Sequence, residues 1–441
     1  MRLKLLFAGL ALLALSALCV PRFAPQDLAV PLPEARLDLL ATARQVIATH
    51  PDFTELGQGS ASYLAFVRTL QGDLREPLPW WRVYEDEDLV LNYVHDPHTN
   101  LQNNFSPFSS PDILPLGFDW ARGGLVAYRV AGSPRAVRTG DRVLQIGGLP
   151  VDGLLPRLRR FLSGNGPWLR TLAGLTLPFG DTLRWLGLVR KGRVELRLSS
   201  PSGQTYSISE DLVPTDLASA RAYLLGEQHF RARFIAPPRS LLTHAGPFYA
   251  WGLTPDYALF TLASCDDTPG YERAITAFFR AAQAADVGYV VIDLQQNMGG
   301  DEAVAQPMLR YLPLRPAYTN RQDPVNPRQI YRGKVYVLID GGSMSSAVDI
   351  AELLSEAGYA TLVGSPAGMA SQAPGNVQSY RTPDGRMVYI VSTEFVPSVN
   401  GQITPALAPA ISLPLTARDI ARGRNPVAAW LGKLAAPRVK T

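Results

Sequence analysis

The sequence is poor in the residues that build disulfides and metal sites. Its 441 residues include two cysteines and five histidines. Cys19 lies in an apolar leader, so removal of that leader would leave Cys265 alone and exclude an intramolecular disulfide. Four of the histidines have no spacing typical of metal ligands: His50, His95, His229 and His244. The sequence therefore predicts no metal site.

Blocks of basic residues and phosphate-binding glycine loops are also missing. The net charge is +4 and the pI is near 9.0, but no cluster of Lys or Arg stands out. Nucleic-acid binding is not predicted from such a charge pattern. No glycine loop of the dinucleotide or nucleotide type is present. We therefore expect no cofactor and no nucleic-acid partner.

Long apolar runs are limited to one, at the N-terminus. Arg2 and Lys4 precede Leu5–Val20, a run of sixteen residues that Pro21 follows. This pattern is typical of a secretory signal and is short for a membrane span. Residues 1–20 are thus predicted to be a signal peptide, with a retained membrane anchor as the alternative. We expect an exported protein, periplasmic or extracellular, whose membrane association would depend on this segment.

The composition and the hydrophobic pattern of the rest of the chain indicate three structured regions, a connector and a tail. With 46% hydrophobic and 18% charged residues, it resembles a globular protein long enough for two or three domains. Residues 34–104 show helical spacing, residues 114–210 alternate strands with glycine turns, and residues 245–415 alternate strands with helices. Residues 210–248 read as a connector, and residues 416–441 form a C-terminal tail. The β-rich region carries no acid–base constellation, so we assign it to binding.

The third region has the signature of a parallel α/β domain. Tyr257–Ala263, Tyr289–Leu294 and Val335–Ile339 are apolar runs typical of buried strands. Helical patterns separate them, and such alternation favours a mainly parallel sheet. Val377–Thr393 reads as an added hairpin that turns at Pro383-Asp384-Gly385.

Two polar turns follow the strands of this domain. Asn297-Met298-Gly299-Gly300 comes after Tyr289–Leu294, and the serines of Ser343–Ser346 come after Val335–Ile339. Functional groups in α/β proteins gather at the carboxyl ends of parallel strands. A serine at the start of the following helix would meet free backbone N–H groups and positive potential. We predict that Ser346 is a nucleophile and that Asn297–Gly300 helps form its oxyanion hole; taken singly, each turn also fits an ordinary helix cap.

These residues resemble a known family. The segments IDLQQNMGG and VYVLIDGGSMSSAVDIAELLSEAGYATLVGSPAG are similar to the tail-specific (C-terminal processing) serine proteases of peptidase family S41. An Asp-x-His-Thr element (Asp96, His98, Thr99) and the PDZ-like stretch GDRVLQIGGLPVDG precede them in the family's order. The resemblance implies an α/β catalytic core of the Clp-protease/crotonase type, a β-rich PDZ-like domain and a helical N-terminal region.

The resemblance also implies the roles of individual residues. The family's motif places the nucleophile at Ser346, rather than at Ser343 or Ser345. The backbone N–H of Ala347 and one from Gly299 or Gly300 would form the oxyanion hole.

The base distinguishes two branches of the family. One branch uses a lysine in a glycine-rich segment after the serine, but Ser365–Gly375 contains none. The tricorn-like branch uses a histidine, which this chain has as His98. The resemblance therefore implies a Ser346–His98 pair in which His98 is the general base, with a reference pKa near 6.5 that suits this role.

Departures from the family pattern weaken this assignment. Gln295 stands where arginine is usual, and Pro409-Ala410-Ile411 replaces the usual Pro-Asp-Ile. No carboxylate lies near Ile403, where the acid that orients the histidine is expected, and Glu394 is the substitute nearest in sequence.

Two functions follow from these patterns. The first is an exported serine endopeptidase that holds a polypeptide in the PDZ-like domain by strand addition and cleaves it at Ser346. The second is a catalytically impaired protein that binds peptides or acts as a scaffold on the same fold. The sequence predicts no particular substrate sequence or oligomeric state.

Overall fold

The structure is a computed structural model and describes residues 29–102, 110–266, 268–313, 330–399 and 401–435. The predicted signal or anchor segment, residues 1–20, lies outside these ranges. Within them, no helix is both long and apolar enough to cross a membrane.

The N-terminal part of the described chain is helical. Its helices are α1 (Leu32–Thr49), α2 (Pro51–Thr54), α3 (Ala61–Asp73) and α4 (Trp80–Asn92). Leu39, Ala43 and Val46 recur at helical spacing on α1 and are buried. They pack with Tyr63 into a hydrophobic cluster that continues onto Tyr389, near the other end of the chain. The helical region is therefore fastened to a late hairpin.

A β-rich domain occupies the middle of the chain, and we call residues 112–214 the middle β domain. Its strands are β2 (Asp112–Ile113), β3 (Leu116–Ala121), β4 (Gly124–Arg129), β5 (Asp141–Ile146), β6 (Leu149–Pro150), β7 (Val189–Arg190), β8 (Arg193–Ser199), β9 (Thr205–Asp211) and β10 (Val213–Pro214). The main path of its sheet is β3-β4-β5-β8-β7, with β6 beside β5 and β9 beside β8. It also contains α5 (Leu154–Leu158), α6 (Gly166–Thr176) and α7 (Gly180–Trp185), the last two of which the sequence pattern does not predict.

The predicted connector is in part a long helix. Residues Leu217–Phe234 form α8, and its buried side chains include Tyr223, Phe230 and Phe234. Gly226 lies in the middle of α8, where a Cβ would come within 2.4 Å of Val130. The prediction of a connector over 210–248 is therefore wrong for this stretch, because Leu217–Phe234 is a regular helix that packs closely against Val130, just after β4.

The α/β core follows, and its predicted sheet is confirmed. Its strands are β11 (His244–Ala245), β12 (Tyr249–Leu253), β13 (Tyr257–Leu262), β14 (Tyr289–Asp293), β15 (Lys334–Ile339), β16 (Ala360–Gly364) and β19 (Ile411–Ser412), in that spatial order. The pairs from β13 through β19 are parallel, whereas β11, β12 and β13 pair antiparallel. The helices of the core are α9 (Pro269–Ala284), α10 (Ala305–Leu309) and α11 (Ser346–Glu356).

The hairpin joins the core to the helical region. It consists of β17 (Ala373–Arg381) and β18 (Val388–Val396), and the short strand β1 (Asn100–Leu101) pairs with β18. Asn100 lies opposite Ile390, so the Asp-x-His-Thr loop just before β1 is held against β18. The chain then continues to α12 (Ala417–Ala421) and α13 (Pro426–Leu434). This pairing brings His98 towards the α/β core.

Candidate active site

Ser346 is the first residue of α11, at the carboxyl end of β15. It is 6% exposed, and the preceding Ser345 has a φ of 51°, in the left-handed region that non-glycine residues rarely adopt. A sharp turn therefore separates the strand from the helix and places the Ser346 hydroxyl at the helix N-terminus. The first backbone N–H groups of a helix lack partners within it and give the site positive potential.

The neighbouring Ser343 has a different function in the structure. Its hydroxyl donates to the Leu294 carbonyl at 2.8 Å and accepts from the Asp340 N–H at 3.0 Å. Ser343 is fully buried, so it ties the end of β14 to the end of β15. These contacts leave Ser346 as the serine at the helix start.

The glycine turn after β14 lies directly against this helix start. A Cβ on Gly299 would come within 2.5 Å of the Ser345 Cβ and 3.0 Å of the Ser346 nitrogen. Gly299 and Gly300 have φ values of 96° and 139°, which a side chain would strain. Asn297 holds the turn: its side chain accepts from the Gly299 N–H at 2.8 Å and its carbonyl accepts from the Met344 N–H at 2.9 Å.

The structure distinguishes the two glycines as oxyanion donors. The Gly299 N–H is already bonded to Asn297, whereas the Gly299 carbonyl accepts from the Cys265 N–H at 3.0 Å. Because the peptide bond is trans, the Gly300 N–H points away from Cys265. It has no hydrogen bond to any residue that the structure describes. Gly300 is thus the better candidate, with Ala347, whose N–H makes only a 3.1 Å contact with the Met344 carbonyl.

Replacing Gly299 by alanine is expected to damage this turn. The new Cβ would overlap Ser345 and strain the positive φ, so the donors would lose their alignment. We expect acylation of Ser346 to slow by about 100-fold or more, as when an oxyanion donor is removed. The measurement is the rate of covalent labelling by a serine-directed phosphonate.

Gly72→Ala is the matched control for that variant. Gly72 lies near the end of α3, where an added Cβ would meet nothing within 4 Å, so alanine should be tolerated or stabilise by about 0.5 kcal/mol. Equal labelling rates for the Gly299→Ala variant and wild type would contradict the assignment of this turn.

Asp96 is the centre of the histidine loop. It is 2% exposed, and its carboxylate accepts from the His98 N–H at 2.9 Å, the Thr99 hydroxyl at 2.7 Å and the Ser392 hydroxyl at 2.6 Å. Burial alone would raise the pKa of Asp96, but hydrogen bonding by His50, by His98 and by Ser392 outweighs it and holds the pKa far below the usual range. Asp96 is therefore a carboxylate at neutral pH.

His98 contacts this carboxylate. Its Nδ1 is 3.5 Å from an Asp96 oxygen, and its side chain is 15% exposed. Burial lowers the pKa of His98, but Asp96, the Pro374 carbonyl and the charge of Asp349 together raise it above its usual value. Asp349 lies in the first turn of α11, which Ser346 begins, so the imidazole is within electrostatic range of that turn.

Ser346 and His98 are not hydrogen-bonded to each other in this conformation. The Ser346 hydroxyl donates to the Gly300 carbonyl at 2.7 Å. Neither ring nitrogen of His98 makes a well-formed hydrogen bond within the described chain, although Nδ1 is 3.5 Å from Oδ1 of Asp96. A nucleophilic Ser346 would have to exchange the Gly300 carbonyl for a base.

The acid beside the histidine is not the one predicted. Glu394 is exposed on β18, opposite Gly375, and makes no ion pair with His98. The carboxyl group in contact with the imidazole belongs to Asp96. The sequence pattern marks Asp96 only as part of a motif and directs the search for the acid further along the chain, so it misses a residue two positions from the histidine.

The replacement of arginine by Gln295 has a structural counterpart. Gln295 and Asp340 line a cavity of about 490 Å³ between the middle β domain and the core. Arg231 of α8 lines the same cavity, pairs with Glu227 at 2.7 Å and interacts electrostatically with Asp340. Arg231 thus supplies positive charge near the end of β15 from another part of the chain.

No metal site accompanies these groups. Among the described residues, no cluster of three or more His, Cys, Asp or Glu side chains has the arrangement needed to hold a metal ion. Cys265 is buried beside Asn297, and burial raises the pKa of its thiol to about 12. A thiol with so high a pKa is a poor nucleophile, so Cys265 is not a candidate for that role.

The fold combines an α/β core, in which a serine at a helix start lies against a glycine turn, with a histidine–carboxylate pair within electrostatic range of the same helix. Residues 256–412 match the model of peptidase family S41. The family resemblance predicted from the sequence is therefore confirmed, and it is the α/β core that carries it. No curated protein matches the chain.

Solved structures show the same fold over most of the chain. The crystal structure of mature CPAF is 15% identical, covers 91% of this chain and 96% of its own, and has a TM-score of 0.66. Mature CPAF complexed with lactacystin gives 15% identity, coverage of 91% and 97%, and a TM-score of 0.65. At this identity the similarity establishes the shared fold.

Proposed function

We propose that this protein is a serine peptidase with Ser346 as nucleophile, His98 as general base and Asp96 as the acid that orients His98. One observation carries the proposal: His98 contacts the buried Asp96 carboxylate and is also within electrostatic range of Asp349, in the first turn of the helix that Ser346 begins. The family match over the same core supports peptide-bond hydrolysis as the reaction.

Acylation would start with a change of partner for the hydroxyl. Ser346 leaves the Gly300 carbonyl, donates to a ring nitrogen of His98 and attacks the substrate carbonyl while His98 takes the proton. The developing oxyanion would accept from the N–H groups of Gly300 and Ala347 at the start of α11. Each such donor contributes about 3 kcal/mol to the transition state.

In the remaining steps His98 acts first as an acid, towards the leaving amine, and then as a base, towards water. His98, now protonated, is stabilised by the Asp96 carboxylate and donates its proton to the leaving amine. Water then enters, loses a proton to His98 and attacks the acyl-enzyme ester. The acid product leaves, and the Ser346 hydroxyl is restored.

The substrate would be a polypeptide. We take the middle β domain as the PDZ-like domain, and an extended peptide could join an edge of its sheet, which runs β3-β4-β5-β8-β7. Use of His98 rather than a lysine as the base favours the tricorn-like Ser/His branch of the family. We expect endopeptidase activity, with the preference of the wider family for the C-terminal part of its polypeptide substrates. Strand addition would present the peptide without demanding a particular side-chain sequence.

Export remains part of the proposal. Residues 1–20 have the composition of a secretory signal, and retention of this segment would anchor the protein to a membrane. Fractionation of cells that express the full chain, followed by N-terminal sequencing, distinguishes a cleaved signal from an anchor.

The proposed activity is tested by covalent labelling. Wild-type protein is incubated with a fluorescent serine-directed phosphonate, with trypsin as a positive control, and the modified peptide is identified by mass spectrometry. We expect one adduct, on Ser346. No adduct under conditions that label trypsin would favour a non-catalytic peptide-binding protein, and an adduct on Ser343 or Ser345 would show that a different serine is the nucleophile.

A further inference from the structure

A second histidine contacts the carboxylate of the proposed catalytic group. His50 lies between α1 and α2 and is completely buried. Its Nε2 is 3.4 Å from Oδ2 of Asp96, whereas Nδ1 of His98 is 3.5 Å from Oδ1. Asp96 therefore lies between two imidazole rings, one facing each oxygen.

A hydrogen bond from the backbone determines which ring nitrogen of His50 carries the proton. Nδ1 of His50 accepts from the N–H of Asp52 at 3.2 Å and so caps the start of α2. A nitrogen that accepts a hydrogen bond carries no proton, so neutral His50 has its proton on Nε2. That proton faces Asp96 across 3.4 Å, a contact too poorly aligned for a well-formed hydrogen bond but close enough to stabilise the carboxylate charge.

The other contacts of Asp96 do not replace this one. His98 and Thr99 belong to the same loop as Asp96, and Ser392 comes from β18. His50 alone among these contacts comes from the helical region. A buried carboxylate is costly unless donors surround it, and loss of one donor lets it rotate or take up a proton.

We propose that His50 is a positioning residue, which holds the Asp96 carboxylate in the orientation that His98 requires as general base. The inference rests on the proposed function, because His50 does not itself touch Ser346 or the substrate. The contact also makes the helical region part of the active site, since α1 and α2 carry the donor.

Two variants separate positioning from packing. His50→Leu keeps similar volume but removes the donor, whereas His50→Gln can still present an N–H to Asp96. We expect His50→Leu to lower the rate constant for phosphonate labelling by about 10-fold to 100-fold, the usual cost of losing a group that orients a functional ligand. His50→Gln should restore the rate to within a few-fold of wild type. His229→Leu, at an exposed position on α8, is the matched control.

A second measurement does not depend on catalysis. The chain has five histidines, so ¹³Cε1-histidine NMR of the inactive Ser346→Ala protein can follow His98 as pH is changed. The groups that face His98 are Asp96 from its own loop, Asp349 from α11 and the Pro374 carbonyl from β17. With these unchanged, His50→Leu should shift the His98 titration midpoint, and His50→Gln should not.

The outcomes distinguish this inference from the proposed function. If His50→Leu folds and leaves both the labelling rate and the His98 midpoint unchanged, the positioning role is refuted while the Ser346 assignment stands. If both variants slow labelling equally and neither moves the midpoint, His50 acts only in packing, and the inference is again refuted. If wild type takes no label, the proposed function fails, and a midpoint shift in the NMR experiment still supports the contact between His50 and the Asp96–His98 pair.

Discussion

Peptide hydrolysis by the Ser346→Ala variant is expected to fall by about a million-fold, and His98→Ala should cost nearly as much, because nucleophile and base act as one unit. The double variant should then be no worse than either single one. The substitution at Ser346 removes one hydroxyl, which bonds to Gly300, so the free energy of unfolding should change by only about 1 kcal/mol. Hydrolysis of a labelled polypeptide and circular dichroism measure the two quantities.

Two controls match these substitutions. Ser355→Ala removes a hydroxyl from the same helix α11, where it bonds only to the Glu352 carbonyl at 3.0 Å. His229→Ala removes an exposed histidine from α8. Both should retain wild-type activity. Strictly multiplicative losses in the double variant at Ser346 and His98 would argue that the two residues act independently and would exclude the proposed pair.

Replacing Asp96 by asparagine should lower activity by about ten-thousand-fold at neutral pH, the effect of losing the orienting acid in a serine–histidine site. The amide has the carboxylate's shape but no charge, and it presents an N–H where His98 requires an acceptor. Glu394→Gln is the matched control, since it changes the acid that the sequence favoured. It should leave activity within a few-fold of wild type, because Glu394 is exposed and makes no ion pair with His98.

The pH profile provides a second test of Asp96. A general base must be neutral, so activity rises with pH through the pKa of His98. That pKa lies above 6.5 in the wild type because Asp96 and its neighbours outweigh burial. Without the charge of Asp96, burial dominates, and the acidic limb of the profile should move to lower pH. An unmoved limb would mean that Asp96 does not govern the charge of His98.

The sequence predicts the core of this fold well because burial leaves a simple pattern there. The strands β14 and β15 are covered on both faces, so their residues are almost all apolar. The helix α8 was not predicted, because it lacks such a simple apolar pattern. Its apolar residues are interspersed with arginines and with Gly226, whose role depends on Val130, just after β4 and almost one hundred residues earlier.

The candidate site likewise has parts that the local sequence predicts and one part that it does not. The turns at Gly299 and Ser346 follow buried strands, so their position at one sheet edge can be inferred from local pattern. The identity of the acid cannot be inferred from local pattern, because an aspartate two residues before a histidine often only accepts hydrogen bonds from the backbone N–H groups of a turn. Only the pairing of β1 with β18, which brings Ser392 and Thr99 to Asp96, shows that this carboxylate is buried and directed at His98.

The hairpin contact has a consequence for the newly made protein. The loop that carries His98 is completed by Ser392, which the ribosome adds almost three hundred residues later. Until β18 has been synthesised and has packed against this loop, the position of His98 is not fixed. An incomplete chain is therefore expected to lack a functional active site. The protein is expected to be inactive until its synthesis is nearly complete, and any fragment that ends before β18 should be inert.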